Sequence, residues 1–425
     1  MSVKPISALS ARVASRLSAL WDQAKAAGSE GQGLGLAVSG GGDSMALLVI
    51  AKSWAEAQAR PLYVATVNHG LRSEAAAEAE FVAKCCADLD IPHQTFLWTD
   101  WQGRGNLQDA ARRARQRLLR GWASELGLAA IATGHTQDDQ AETLLLRLAR
   151  GSGVDGLAAM AELRRDEAGF AWIRPMLGEG RQALREELET RGQNWCEDPS
   201  NEDPRFDRVR ARKMLTELSG LGMSAQILAD TAARMAAARQ VLGQAANRAA
   251  ADLVHCALGQ LTIAVADFWR LPDDTRWRLL SQALCTVSGN PYRPNLSALR
   301  GAEEALRAGR AHTLHGCYLT SGVALCVHRE AAAISTLRSA APGLWDGWKV
   351  TGPKVQNAEI RILGESGLAQ TSDWRASGLP FRAALATPGI WHGDELLGSP
   401  ALNLGEWTAR TLWDKTSFTA SLLSH

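Results

Sequence analysis

The chain has 425 residues, of which 46% are hydrophobic and 21% are charged, and its formal net charge is +1. These proportions are ordinary for folded domains and exclude a disordered chain, while the net charge by itself says nothing about nucleic acid. The length exceeds that of one typical hydrophobic core, so we expect two or three domains.

The cysteines and the hydropathy of the sequence narrow the class of protein further. The seven cysteines form no Cys-x-x-Cys pair, which argues against a disulfide framework, a zinc ribbon and a cysteine-held iron–sulfur cluster. No apolar stretch reaches the ~20 residues that a membrane span needs. The start, Met1 to Pro5, lacks the apolar core of a signal peptide. We therefore predict a cytoplasmic chain with no membrane contact.

Apolar side chains at helical spacing predict an N-terminal helix over residues 6–27. Short apolar runs then alternate with helical patterns. The predicted strands are 34–38, 62–67, 93–98 and 128–133, and the predicted helices are 44–57, 74–89 and 107–126. This alternation predicts an α/β fold in which a parallel sheet carries helices on both faces. Ligands of such sheets bind beyond the carboxyl ends of the strands.

The pattern changes after residue 205. Helical spacing over 206–258 and 275–310 predicts a mostly helical domain, bordered by short strands near 261–265, 313–319 and 323–328. Residues 342–425 contain glycines, prolines and six tryptophans, which favours a small β-rich module. The predicted division is an N-terminal helix at 1–32, an α/β domain at 33–205, a helical domain at 206–340 and a C-terminal module at 341–425.

The first predicted strand runs into a glycine turn, Ser39-Gly40-Gly41-Gly42-Asp43-Ser44, and a helix follows. Backbone amides at such a helix start favour an anion, here a nucleotide pyrophosphate. The turn lacks the lysine of a Walker A loop and the spacing of a dinucleotide fingerprint. Asp43 would repel a phosphate unless a divalent cation such as Mg²⁺ lies between them. A purely structural turn is the alternative, and the flanking Ser and Asp-Ser favour ligand binding.

A second polar segment follows the fourth strand, where Gly134 and His135 lead into a helix start with three acids, Asp138, Asp139 and Glu142. Helix-dipole capping accounts for one or two of them. A Mg²⁺ ion shared with Asp43 accounts for the whole group, because such close carboxylates repel one another without a counter-charge.

Basic residues are concentrated in two segments. Helix 107–126 carries Arg112 and Arg115, which lie either on a solvated face or within reach of a phosphate or an acidic substrate. Residues 205–213 hold five basic residues and one acid. Contact with a nucleic-acid backbone and a charged helix start are equally compatible with that composition.

Together these segments resemble the N-type ATP pyrophosphatases, or PP-loop family, and within it the tRNA(Ile)-lysidine synthetases. The turn at 39–44 fits the PP-loop motif Ser-Gly-Gly-x-Asp-Ser, and similarity covers about 34–213. The other matching segments are 67–72, 111–115, 134–157, 174–177 and 197–201. Two positions depart from the pattern, with Gln116 replacing an aromatic residue and Val209 replacing an asparagine.

The resemblance implies an adenine nucleotide α-hydrolase-like fold and an ATP-dependent ligase. Such an enzyme adenylates the C2 oxygen of the wobble cytidine in the isoleucine tRNA with a CAU anticodon. Free L-lysine then attacks C2 and AMP leaves, so that AUA is decoded as isoleucine. The implied cofactors are ATP and Mg²⁺, the implied partners are this tRNA and lysine, and a homodimer is allowed.

The resemblance also implies roles for individual residues. It assigns ATP to Ser39, Gly40, Gly41, Gly42, Asp43, Ser44, His69, Gly134 and His135. It assigns Mg²⁺ to Asp43 and Asp138, and the chemistry to Asp43, Asp138, Asp139, Glu142, Arg112 and Arg115. The tRNA would contact Arg205, Arg208 and Arg212.

Two other classes of function stay open at this point. One is a different PP-loop enzyme, either a tRNA thiolase, whose Cys-x-x-Cys pair is missing here, or an amide-forming synthetase, whose ammonia-supplying module is missing. The other is a non-enzymatic nucleotide-binding module, which would not need the acids at Asp43, Asp138, Asp139 and Glu142.

Overall fold

The computed structural model describes residues 7–70, 74–99, 101, 107–166, 168–197, 205 and 207–423. Its contacts divide the chain into two compact units, Met1–Arg239 and Gln240–His425. Parts of two family-like segments, Leu71-Arg72 and 198–201, lie outside the described residues. The four-part domain division stays a prediction.

The first unit alternates helices and strands along the chain, as the sequence predicts. Its strands are β1 (Gly33–Ala37), β2 (Leu62–Asn68), β3 (His93–Leu97), β4 (Leu128–Thr133), β5 (Leu163–Arg165) and β6 (Ala171–Ile173). Its helices are α1 (Ala8–Ala26), α2 (Gly42–Ala57), α3 (Glu74–Asp88), α4 (Leu107–Glu125), α5 (Gln137–Ala149), α6 (Val154–Leu157), α7 (Arg181–Arg191), α8 (Asp207–Ser219) and α9 (Ala225–Leu253), which continues into the second unit.

The strands of the first unit form one six-stranded sheet in the order β3-β2-β1-β4-β6-β5. Five strands run parallel, and β5 pairs antiparallel with β6 at one edge. Leu36 of β1 is in register with Val64 on one side and Ala132 on the other. The predicted parallel sheet is confirmed, and the sequence analysis missed β5 and β6, which are only three residues long.

Alternating residues of β1 contact different helices. Leu34 and Leu36 are fully buried in a core that includes Leu17 of α1 and Leu47 of α2. Ala37 packs instead in a second core with Trp122 of α4. Because successive strand residues point to opposite faces, the two cores lie on opposite sides of the sheet. The predicted helices on both faces are therefore confirmed, and β1 holds the central position from which its carboxyl end reaches the site.

Gly35 lets α4 pack closely on β1. A Cβ added at Gly35 would lie 2.8 Å from the Trp122 ring and 2.9 Å from the Leu128 side chain. We expect Gly35→Ala to destabilise the protein by about 1–3 kcal/mol, because overpacked cores have to shift. Gly121→Ala on α4 is the matched control, since nothing lies within 4 Å of the added carbon. Thermal unfolding of both variants measures the effect. A melting temperature of Gly35→Ala equal to that of the wild-type protein would contradict this account.

The second unit combines helices with short antiparallel strands. Its helices are α10 (Val265–Arg270), α11 (Asp273–Ser288), α12 (Leu296–Arg307), α13 (Ala331–Ile334), α14 (Gly364–Ala369), α15 (Phe381–Leu385) and α16 (Lys415–Ser421). Its strands are β7 (Val254–Ala257), β8 (Gln260–Ala264), β9 (His312–Leu314), β10 (Cys317–Ser321), β11 (Ala324–Arg329), β12 (Ser339–Ala340), β13 (Gly343–Trp345), β14 (Trp348–Thr351), β15 (Glu359–Ile362), β16 (Pro388–His392), β17 (Glu395–Gly398) and β18 (Thr408–Thr411).

The three predicted strands of the second unit lie in an antiparallel sheet of order β7-β8-β11-β10-β9. Two predictions need correction. The predicted strand 313–319 is two strands, β9 and β10, which pair with each other antiparallel. Helix α9 ends at Leu253, and the residues after it form β7. The reason is tertiary, since Val254 is fully buried beside Ile263 of the neighbouring strand. The C-terminal part contains a four-stranded and a three-stranded sheet. No described helix is long and apolar enough to cross a membrane.

Candidate active site

The glycine turn lies between the end of β1 and the start of α2. Gly40 adopts a left-handed backbone with φ of +91°, a conformation that favours glycine. The Ser44 hydroxyl closes the turn, because it accepts from the Ser39 amide at 3.2 Å and donates to the Gly41 carbonyl at 2.9 Å. The amides in the first turn of a helix have no intrahelical partner and are suited to an anion.

A distant segment supplies the second wall of this turn. The Cys196 amide donates to the Gly40 carbonyl at 2.9 Å, and Gly41 forms a parallel bridge with Cys196. The Trp195 ring lies against Gly42, where an added Cβ would be 3.5 Å from it. Trp195 and Cys196 were not singled out from the sequence, because no local pattern shows that this segment returns to the first strand.

Gly134 follows β4 and packs directly on the start of α2. A Cβ at this position would lie 2.9 Å from the Asp43 carbonyl oxygen and 3.0 Å from the Cα atom of Ser44. The glycine therefore sets the distance between the two segments that carry the predicted acids. Its assignment to ATP binding stays a prediction, and its packing role follows from the contact.

The acids at the start of α5 have different surroundings. Thr136 is the N-cap and Asp139 completes a capping box, in which its Oδ2 atom accepts from the Thr136 amide at 2.8 Å. Capping thus accounts for Asp139, in agreement with the structural alternative. Glu142 lies one turn later and is fully buried, although it caps nothing. Its Oε1 atom accepts from Arg212 Nε at 2.9 Å.

Arg181 connects all four acids, and the sequence analysis missed it. Its guanidinium contacts Asp43 at 2.9 Å, Asp139 at 3.3 Å and Glu142 at 3.5 Å. Its backbone amide donates to the Asp138 carboxylate at 2.7 Å. Arg181 is the first residue of α7, where the helix dipole disfavours a cation. That unfavourable position is the sequence signal that indicates an acidic partner.

Burial and charge set the ionisation of the acid cluster, by which we mean Asp43, Asp138, Asp139 and Glu142. Burial raises the pKa of Asp43 above its ordinary value, and the positive charge of Arg181 offsets part of that effect. Burial also opposes ionisation of Asp139, yet the charge of Arg181, the hydrogen bond from the Thr136 amide and other nearby charges together outweigh it and lower the pKa of that carboxyl. The same carboxylates raise the pKa of Arg181.

Two carboxylate oxygens in the cluster retain acceptor capacity. Asp43 Oδ1 and Glu142 Oε2 are buried and have no hydrogen-bond partner. Within the described ranges, no group of three or more His, Cys, Asp or Glu side chains converges as a metal site. One or two carboxylates together with phosphate oxygens are nevertheless the usual ligands of Mg²⁺. The residues present therefore fit a metal ion that is held jointly with a nucleotide.

Two histidines near the turn are held neutral. His135 lies 2.8 Å from Thr133 through its Nδ1 atom, and burial lowers its pKa to about 3. His69 is edge-on to Trp98 at a centroid distance of 5.7 Å, and burial followed by the charge of Arg115 lowers its pKa. Neutral imidazoles suit hydrogen bonding or stacking with a base better than they suit phosphate binding.

The depressed pKa of His135 predicts a specific pH dependence of stability. The unfolded state binds a proton near pH 6.5, whereas folded His135 does so only near pH 3. Stability should therefore fall on acidification below about 6.5, by at most ~1.4 kcal/mol per pH unit. We expect this slope to be shallower in His135→Gln. Denaturant unfolding at about pH 7 and 5.5 measures it, and identical slopes would contradict the assignment.

An arginine cluster, formed by Arg112, Arg115, Arg164, Arg174 and Arg208, adjoins His135. Arg112 and Arg115 are exposed, and desolvation followed by the charges of neighbouring arginines lowers the pKa of both. Burial is the main cause that lowers the pKa of Arg174 to about 10, and the positive charges of Arg164 and Arg112 add to it. Such mutual repulsion favours a bound anion.

Of the three arginines that are predicted to contact tRNA, two lie at the acid cluster. Arg208 approaches Asp139 at 3.8 Å and Arg212 contacts Glu142 at 2.9 Å, whereas Arg205 is exposed. The structure therefore brings Arg208 and Arg212 to the acid cluster, and tRNA contact by all three stays a prediction. Arg164, Arg174 and Arg181 are the charged residues that the sequence analysis did not assign.

Comparison with known proteins agrees with this geometry. Residues 9–218 match the family model of the PP-loop domain. The chain is 46% identical to the tRNA(Ile)-lysidine synthase of Ruegeria pomeroyi over 92% of its own length and 94% of that relative. It is 41% identical to the protein of the same name from Rhodopseudomonas palustris, over 72% of the chain and 86% of the relative. The chain belongs to the tRNA(Ile)-lysidine synthase family.

Proposed function

We propose that this protein uses ATP to join lysine to C2 of the wobble cytidine in the isoleucine tRNA with a CAU anticodon. In the first half-reaction the C2 oxygen attacks the α-phosphorus of ATP, and pyrophosphate leaves. In the second, the side-chain amine of lysine attacks C2, the C2–O bond breaks, and AMP carries the oxygen away. The observation that carries the proposal is that, in a chain of this family, Arg181 brings the acid of the glycine turn together with those of α5.

The first half-reaction needs groups that hold the leaving pyrophosphate. The turn from Ser39 to Ser44 supplies helix-start amides, which stabilise negative charge without reorganisation. Asp43 and Asp138 would hold Mg²⁺ together with the phosphate oxygens, because their carboxylates flank the turn and Asp43 Oδ1 has no other partner. When bound, Mg²⁺ would neutralise charge on the pyrophosphate.

The second half-reaction needs a base, because lysine attacks only after its ammonium has lost a proton. Asp139 is poorly suited, since capping bonds occupy one carboxylate oxygen and Arg181 approaches the other. Glu142 is better suited, because Oε2 is buried and has no partner. We therefore assign the proton acceptor to Glu142 and a structural role to Asp139.

The arginine cluster would bind the anionic part of the reacting tRNA. Arg112 and Arg115 are exposed, and the half-buried Arg164 and the buried Arg174 add positive charge close to Arg112. Guanidinium groups bind phosphate by paired hydrogen bonds, and such contacts strengthen as negative charge develops. Free lysine as the amine donor, Mg²⁺ and a homodimer all belong to this proposal.

Nucleoside analysis tests the function directly. The protein is incubated with ATP, labelled lysine and either the isoleucine or the methionine tRNA with a CAU anticodon. We expect labelled lysidine only in the isoleucine tRNA, with equal amounts of AMP and pyrophosphate. ATP cleavage that does not depend on lysine would favour another PP-loop enzyme. Absence of cleavage would favour a nucleotide-binding module.

A further inference from the structure

Arg181 occupies the centre of the acid cluster. One guanidinium contacts three carboxylates from two separate segments, Asp43 on α2 and Asp139 and Glu142 on α5. The Arg181 side chain is 18% exposed and that of Glu142 is 0% exposed. Charges in such surroundings are weakly screened, so removing one partner of these ion pairs costs more than it does on the surface.

The positive charge at the cluster falls short of the negative charge. Besides Arg181, only Arg208 and Arg212 have described ion pairs with it, at 3.8 Å from Asp139 and 2.9 Å from Glu142. Three guanidinium groups thus face four carboxyl groups. Glu142 Oε2 is fully buried without a partner, which indicates that the cluster also accepts a ligand that carries positive charge or a proton.

We propose that Arg181 is a positioning residue that keeps the acid cluster closed to free divalent cations until the substrates bind. A free ion would have to displace the guanidinium from Asp43 and separate it from two further carboxylates. A metal ion that arrives on a nucleotide brings phosphate oxygens as additional ligands, and the positive N-terminal end of α2 would face those phosphates. Arg181 therefore restricts metal binding to the nucleotide-bound state.

A structural role alone would predict something different. If Arg181 served only to hold α7 against α2 and α5, its removal would lower the melting temperature and leave metal affinity unchanged. If Arg181 closes the cluster, its removal leaves Asp43, Asp139 and Glu142 without the guanidinium that they share. The uncompensated negative charge then favours a divalent cation, which one or two of these carboxylates are enough to hold together with water.

The test measures binding of Mg²⁺ alone to the full chain by titration calorimetry, with neither ATP nor tRNA present. We expect Arg181→Met to bind Mg²⁺ at least ~10-fold more tightly than the wild-type protein. Arg12→Met is the matched control, because it removes an exposed ion pair with Glu179 and leaves the cluster intact. It should bind Mg²⁺ as the wild-type protein does. Equal affinity of Arg181→Met and wild type would overturn the proposal.

A conservative variant keeps the test decisive if Arg181→Met does not fold. Arg181→Lys retains the charge, but a single ammonium cannot span three carboxylates in the way that a planar guanidinium does. We expect its affinity for Mg²⁺ to lie between those of the wild type and Arg181→Met, and a wild-type value would overturn the proposal. Although the inference rests on the proposed metal site, the titration contains no tRNA. Its outcome is therefore separate from whether the protein makes lysidine.

Discussion

Replacement of Asp43 by asparagine is expected to lower pyrophosphate release by at least about 10²-fold, with tRNA binding retained. Asp43 lies in the first turn of α2, and its Oδ1 atom is buried without a hydrogen-bond partner. The neutral amide keeps the shape and loses the charge that a metal ion requires. The measurement is the rate of ATP- and tRNA-dependent pyrophosphate release, together with a filter-binding assay for tRNA.

The stability of this variant separates lost chemistry from lost folding. Burial raises the pKa of Asp43 and so opposes its ionised form. Loss of the charge removes this desolvation cost together with the ion pair to Arg181, and because the two changes offset each other the melting temperature should stay near that of the wild-type protein. Asp22→Asn on α1 is the control, because Asp22 is exposed. Unchanged pyrophosphate release by Asp43→Asn would contradict the role of Asp43.

Replacement of Glu142 by glutamine should instead block the second half-reaction. Pyrophosphate release continues because the turn and Asp43 are intact, while lysidine formation falls by about 10²- to 10⁴-fold. The adenylated tRNA should accumulate. The physical reason is that Glu142 Oε2 is the buried carboxylate oxygen without a hydrogen-bond partner on α5, and an amide cannot take a proton from lysine. Rapid-quench assays of both products measure the separation.

Asp139→Asn is the informative comparison for Glu142→Gln. Asp139 completes the capping box of α5, so its replacement should cost about 1 kcal/mol of stability and affect both half-reactions alike. A selective loss of lysidine formation in Asp139→Asn, with normal formation in Glu142→Gln, would exchange the roles of these two acids.

The features that follow from local sequence were predicted correctly. Strand β4 was predicted at 128–133 and is observed as Leu128–Thr133. The prediction succeeded because an apolar run this short, between a helix and a glycine, suits a buried strand and is too short for a helix. The fold and the family also follow from the segments around Ser39–Ser44 and Gly134–Thr143. Strands β5 and β6 were missed because three residues are too few for periodicity to show.

Contacts between distant segments could not be predicted. Arg181 and Asp43 are 138 positions apart, and their ion pair exists only once α7 lies beside α2. The same limitation applies to Trp195 and Cys196, which complete the glycine turn. The sequence did predict that Asp43 and the α5 acids lie together. It assigned their neutralisation to a metal ion because the cation on α7 was not visible from spacing.

The bridge from Gly40 and Gly41 to Cys196 has a consequence for protein synthesis. Domains fold as their residues leave the ribosome, and β1 with its turn is made long before Cys196. A nascent chain that ends before Arg181 would contain the acids without their internal counter-charge and the turn without its second wall. The glycine turn therefore becomes complete only when the chain has been translated past Cys196, so a chain that ends before this residue should carry no working copy of the site.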